Sequence, residues 1–341
     1  MTKKIFLKNM NYLRGFAILN IIIIHIWTIP ILYVEDGSIY PKIINVTKEI
    51  LFHDSSIYFI FISGFFLKYL SFSSPLQYYK IKLKTILLPY IFLSSTLFVL
   101  RLFIDGIEFP LTVFFRYIFM GEAQVQYWYI PFIATIFLIS PVLLKIPNKT
   151  LLLMLPILLI LPLIGTRTGT IISLGQYVYF LPIYILGILC AANYERFMAL
   201  IEKRLLLLIS AIITSTFLII IVMLFEPKFL FVNLYESFHY LQKISILLFF
   251  IVFFKRIEHI DINILNVFAK YSFALFFVHF FINSLLDELI MGKYYELFST
   301  PTFLIIPISI LYTLISIFLS LLFCIVIKKL LGYNSRYIIG V

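Results

Sequence analysis

Long uninterrupted apolar runs constrain this chain more than any other feature, because about 20 apolar residues in a helix match the hydrocarbon thickness of a bilayer. About ten such runs follow one another, at 12–34, 52–72, 85–104, 127–145, 150–165, 176–193, 205–225, 241–254, 268–291 and 302–327. The fifth and eighth are short, which leaves tilt, a break or extension into the flanks open. Prolines in stretches such as LLPYIFL and FLPIYIL are compatible with spanning helices, since neighbouring helices can satisfy the freed backbone groups. Composition agrees: 62% of residues are hydrophobic, only 13% are charged and the mean hydropathy is +1.07, whereas a soluble domain carries about 25% charged residues. The expected fold is all-α, a polytopic transmembrane helical bundle of about ten spans. It forms one domain over 1–341, without a soluble domain, internal repeat or low-complexity tract. Cys190 and Cys324 each sit inside an apolar run, where they read as packing residues rather than a disulfide, redox pair or zinc site. No metal is expected.

The first run follows Lys3, Lys4 and Lys8 and so has the charge pattern of a secretory signal, but it is too long and lacks a small-residue cleavage site. It is expected to stay as a helix. Basic residues in the loops set the orientation. With the amino end in the cytoplasm, 19 of the 27 lysines and arginines fall on the inner side, and both termini are then inside. Arg101, Arg116 and Arg167 belong to the outer minority. This bias accounts for most of the net charge of +11, so no nucleic-acid partner is implied. The basic face meets anionic lipid headgroups, as expected of a multi-pass protein of the cell's inner, cytoplasmic membrane.

Within the first run, YLRGFAILNIIIIHIWTIPILYV, Arg14 and His25 are eleven residues apart. In an α-helix that is three turns plus about 20°, which puts both on one face about 16 Å apart along the axis. An ionisable group at a helix centre costs about 2.5 kcal/mol or more and ordinarily faces a cavity or the bundle interior. Arg14 alone can snorkel to the interface. His25 has no interface within reach, and an interhelical hydrogen bond and a catalytic role are both open to it.

The stretch YLRGFAILNIIIIH resembles the first helix of acyltransferase family 3, with Arg14, Gly15 and, ten intervening positions after the arginine, His25. FIFISGFFL resembles that family's Ser-Gly-Phe segment at Ser63, Gly64 and Phe65. YYKIKLKTILLPY resembles its basic entry to the third helix, ending at Pro89 and Tyr90, and YWYIPFIATIFLISPVL its fourth helix, with Trp128 and Pro141. YSFALFFVHFF is similar to a late Ser-to-His segment, here Ser272 and His279. These ordered matches cover nearly the whole chain. One departure stands out: where the family often has arginines, this chain has Lys80, Lys82 and Lys84, which attract phosphate as point charges without a bidentate fork.

The resemblance implies transfer of an acetyl or similar acyl group from acetyl-CoA, or another acyl-CoA, to a hydroxyl of a cell-surface polysaccharide. O-antigen or its lipid-linked precursor are such acceptors. Under that expectation His25 is the general base on the acceptor hydroxyl. Arg14 lies too far from it to hold the same oxyanion and binds the coenzyme's phosphates or arm, with Lys82 and Lys84 assisting. Ser63, Trp128 and Tyr129 are the candidate oxyanion donors. The donor's arm is expected to enter from the basic inner side and present its thioester at depth. Ser272 and His279, seven residues and so nearly one face apart, read mainly as structural hydrogen-bonding residues. His53 and Asp54 read as a solvated helix start, with orienting an acceptor as the other reading. Arg116 and Glu122 are outer-loop residues that can contact sugar, and Tyr235, Tyr240 and Tyr294 are expected in an interfacial aromatic belt. His239 and His259 read as loop residues without a role. The competing functional class is a transporter or flippase for a lipid-linked glycan, disfavoured because no paired, interrupted half-repeats are visible; a third is a non-catalytic scaffold, which leaves Arg14 and His25 without purpose.

Overall fold

The computed structural model describes residues 7–33, 39–70, 74–105, 111–164, 172–225, 232–291 and 303–341. Fifteen α-helices occupy them: α1 Lys8–Ile26, α2 Ile39–Phe52, α3 Ser56–Leu67, α4 Pro75–Lys82, α5 Leu88–Asp105, α6 Leu111–Phe119, α7 Tyr129–Leu143, α8 Asn148–Ile164, α9 Leu174–Ala192, α10 Tyr194–Glu202, α11 Leu205–Phe225, α12 Leu234–Arg256, α13 Asn263–Leu286, α14 Ile305–Leu331 and the short α15 Ser335–Ile338. Eight helical segments are long and apolar enough to cross a membrane, and α7 and α8 are shorter apolar helices. The protein is therefore an all-α polytopic bundle, as the apolar runs imply.

Two expected boundaries move. The eighth run extends into its amino-terminal flank, because α12 begins at Leu234, where the Asn233 side chain accepts from the Glu236 backbone N–H and caps it. The second run is preceded by a separate helix, α2, joined to α3 through a turn in which Asp54 has φ of 53°. The sequence concealed α2 because Lys42, Lys48 and Glu49 interrupt its apolar pattern and give it the look of a loop.

Surface and core are arranged for lipid. Large apolar side chains point outward, including Phe103, Leu206 and Leu174, while the protein's polar side chains concentrate inside, with Asn20, Gln126, Gln176, Lys243 and His279 all buried. Where water surrounds a protein that distribution is reversed. Helices α1, α3, α9, α12 and α13 form the centre: α1 packs on α13, α3 on α9, and α11 covers α12 from outside.

Glycine sets the tightest contacts, two of which bear on the site. A Cβ on Gly15 would lie 2.3 Å from the Leu265 carbonyl oxygen of α13, and one on Gly64 would lie 2.0 Å from that of Tyr184 on α9. Both glycines thus let backbones touch, as small residues do at membrane helix interfaces. The neighbours Arg14 and Ser63 are carried into the same interior by those contacts.

Candidate functional site

Arg14 lies at the meeting point of α1 and α13, where its Nε donates to Ser272 Oγ at 2.7 Å. Around it opens a chamber of about 320 Å³ lined by Ser63, Lys82, Tyr129 and Arg336, with Phe59, Ile62, Phe66, Ile133, Phe137 and Phe273 among its apolar walls. Three cationic side chains, Arg14, Lys82 and Arg336, therefore share one cavity with the hydroxyls of Ser63, Thr85 and Tyr129. The Tyr129 hydroxyl is within hydrogen-bonding reach of Ser63 and feels the Arg14 charge. Lys82 Nζ sits 4.1 Å from the centre of the Phe137 ring and 5.4 Å from that of Tyr78, which partly replaces its lost hydration.

The local chain explains why Lys82 enters and Lys84 does not. Between α4 and α5, Leu83–Leu87 form a π-helical turn ahead of Pro89. Proline has no N–H and collides with the carbonyl four residues earlier, so the ladder opens there. Two residues along a helix rotate a side chain by about 200°. Lys84 accordingly points away from the cavity and is exposed. The expected place of Lys84 in the basic group is taken by Arg336, which the carboxyl-terminal turn carries under the bundle. That turn is held by Ser335, whose hydroxyl donates to the Gly332 carbonyl at 2.7 Å and to the Val341 carbonyl. No local pattern in the sequence signals this, because Arg336 lies beyond the last apolar run.

Gly64 and Trp128 lie outside the chamber lining. Gly64 is spent on the α3–α9 backbone contact. Trp128 is buried at the start of α7 with its ring 5.6 Å from that of Phe180, away from the chamber lining. Of the three candidate oxyanion donors, Ser63 and Tyr129 line the chamber.

At the other end of the shared α1 face, His25 meets His279 of α13, ring centroids 5.7 Å apart. His279 Nδ1 lies 2.8 Å from the Leu275 carbonyl oxygen. A carbonyl only accepts, so Nδ1 carries the proton and Nε2 keeps its lone pair. His279 Nε2 is buried without a hydrogen-bond partner. His25 is partly accessible, and Lys48 of α2 is close enough to act on it electrostatically. The α1–α13 contact thus pairs Arg14 with Ser272 and His25 with His279, uniting four residues that the sequence placed on two helices.

The two ends are separated. Phe16 of α1 packs against Tyr58 of α3 at 5.5 Å between ring centroids, so the chamber's end at Phe59 is level with Phe16. His25 is nine residues further on, about 13 Å along the axis, and does not line the chamber. On the intervening face Ile18, Ile21 and Ile22 are buried in helix contacts. The expected passage from basic mouth to histidine is closed at this level by apolar side chains.

Against known families, the model described as an acyltransferase domain, that of acyltransferase family 3, matches residues 7–329. The chain belongs to that family. It is a multi-pass membrane protein of the acyltransferase class, and the match includes the Arg14, Ser63, Ser272 and His279 segments already described. No curated protein and no solved structure matches it.

Several residues outside this site differ from expectation. His53 and Asp54 are not a solvated helix start: their side chains are 17% and 4% exposed. His239 and Tyr240 belong to buried parts of α12 rather than to a loop or a belt, and Tyr235 donates to Glu49 Oε2 at 2.7 Å. The apolar run begins only at residue 241, whereas α12 begins at Leu234 and carries its polar first turns into the bundle. Arg116 and Glu122 form an exposed ion pair at 2.7 Å. His259 is exposed and near the Arg256 carbonyl oxygen. Lys3, Lys4, Arg167 and Tyr294 lie outside the described residues.

Proposed function

We propose that the protein transfers an acetyl or similar acyl group from an acyl-CoA to a hydroxyl of a cell-surface polysaccharide, such as O-antigen or its lipid-linked precursor, at the inner membrane. The observation that carries this reading is the chamber that joins Arg14, Lys82 and Arg336 to a long apolar lining. A donor that is polyanionic at one end and thin and largely uncharged at the other has matching chemistry. The phosphates bind the cations at the inner side, Arg14 offering a planar fork and Lys82 a point charge. Ser63 and Tyr129 donate hydrogen bonds to the arm or to the thioester oxygen.

His25 acts as general base. It removes the proton of the acceptor hydroxyl as that oxygen attacks the thioester carbonyl, and the tetrahedral intermediate expels the coenzyme thiolate, which takes the proton from His25. His279, its Nδ1–H committed to the Leu275 carbonyl, holds a lone pair beside this step and steadies the imidazolium. The gap of about 13 Å makes donor loading and separation of the apolar side chains packed between the chamber and His25 one event, a lid-like step of the kind that commits substrates before chemistry.

The experiment is incubation of the purified protein with radiolabelled acetyl-CoA and a glycan acceptor. Label on the glycan is expected, and His25→Ala is expected to lower the rate about 10²–10⁴-fold with an unchanged thermal melt and unchanged donor binding. A His25→Ala protein of normal activity overturns the assignment of His25. Movement of glycan across vesicles without covalent change overturns the enzyme reading in favour of a transporter.

A further inference from the structure

The polar side chains that acyl transfer leaves unused collect around the turn between α2 and α3. His53 Nδ1 is 2.8 Å from Glu49 Oε2. A carboxylate only accepts, so Nδ1 carries the proton and the ring's other nitrogen is turned elsewhere. His53 Nε2 is 3.5 Å from Asp54 Oδ2 and 3.8 Å from Glu236 Oε2. It has no hydrogen-bond partner among the described residues. Each of His53, Asp54 and Glu236 offers one ligand atom, and these atoms lie within 4.8 Å of one another.

A ring nitrogen and two carboxylates converging inside an apolar bundle require positive charge between them, from a proton or from a bound cation. Two lysines border the cluster, and Lys243 acts on Asp54 and Glu49 through its charge. Lys48 pairs with Glu49 at 2.9 Å, and Lys243 donates to the carbonyls of Ile50 and Leu51 at 3.0 and 2.9 Å. The neighbouring His239 is an independent observation. It is fully buried, both of its ring nitrogens lack a partner, and its ring lies 4.2 Å from that of His53. An unpartnered donor and an unpartnered acceptor in such a place cost several kcal/mol unless something binds them.

We propose that His53, Asp54 and Glu236 bind a divalent transition-metal ion of the zinc or manganese class, with His239 as the nearest additional nitrogen donor. One imidazole and two carboxylates suit such borderline ions. The outer shell is already built: Glu49 holds the His53 tautomer, and the Tyr179 hydroxyl donates to Asp54. Carboxylate–histidine pairs of this kind orient metal ligands and raise their basicity. The ion cross-links the α2–α3 turn to the first turn of α12, across more than 180 residues of sequence. It shares no residue with the donor chamber and does not depend on the acyl-transfer reading. It departs from the expectation of a metal-free protein, which rested on cysteine placement.

The test uses the full-length protein carrying a histidine-free tag, purified in detergent without chelator. Elemental analysis should find about one equivalent of zinc or manganese per chain. A chelator should lower the melting midpoint, and the ion should restore it. His53→Gln, Asp54→Asn and Glu236→Gln keep side-chain size and should each weaken zinc binding about 10–100-fold in competition with a chromophoric chelator. A wild-type protein that holds no metal and whose melt does not respond to added zinc or manganese overturns the proposal and assigns the spot to a protonated His53. Variants that bind zinc as tightly as the wild type overturn it as well, and the wild-type measurement decides even where a variant fails to fold.

Discussion

Two side-chain hydrogen bonds connect the helices that carry the candidate chemistry, Asn11 to Asn266 and Arg14 to Ser272, and the second lies at the chamber. Arg14 donates to Ser272 at 2.7 Å, and Ser272 is fully buried. Hydrogen bonds to charged groups contribute about 1.5–3 kcal/mol. Ser272→Ala should therefore raise the donor KM about 10-fold or more while leaving kcat nearly unchanged, because it loosens Arg14 without touching His25; steady-state kinetics against donor concentration checks this. The cations around Arg14 give a sharper comparison. Arg336→Ala should raise the donor KM several-fold, with the loss shrinking at high salt, whereas Lys84→Ala should leave KM as it is. The basic stretch before Pro89 points to Lys84, and no sequence pattern points to Arg336. Equal effects of the two substitutions would return Lys84 to the site.

Helix contacts decide which of the motif residues face the interior. The Arg-Gly and Ser-Gly pairs each combine a polar side chain with a point of backbone contact, and the glycine is needed at that contact. An alanine at position 64 would place Cβ 2.0 Å from a carbonyl oxygen, so α3 must shift from α9. Overpacking of this kind costs about 1–3 kcal/mol. Gly64→Ala should lower the melting midpoint by several degrees and reduce activity through Ser63, with both read on the same detergent-purified sample. The π-helical turn at Leu83–Leu87 works in the same way. It is a backbone response to Pro89 that determines which lysine reaches the chamber.

At the scale of the whole molecule, α1 and α13 run in the same direction, since Arg14 meets Ser272 and His25 meets His279, both later residues in their helices. Parallel α1 and α13 are compatible with an even number of spans and both termini on one side of the membrane; that this side is the cytoplasm is our proposal, drawn from the excess of lysine and arginine assigned to it. Protease-cleavable tags at the two ends should both be cut in inside-out vesicles and both be protected in right-side-out ones; cleavage of either tag from the outside would refute that orientation.

How much was legible from the residues alone follows a physical division. Membrane residence, helix class and the Arg14–His25 face depend on local apolar content and the 3.6-residue period, which any window of sequence carries. The family segments added Ser63, Ser272 and His279, since their order along the chain is itself a one-dimensional signal. Contacts between distant parts are different. Arg336 joins Arg14 and Lys82 through a turn outside every apolar run, and His239 comes to His53 from 186 positions away. Hydropathy marks Lys243 and Glu236 as span-edge residues, yet the fold buries both. Burial of a charged group is decided by what surrounds it in three dimensions, and for this protein only the packing of α1, α3, α9, α12 and α13 supplies those surroundings.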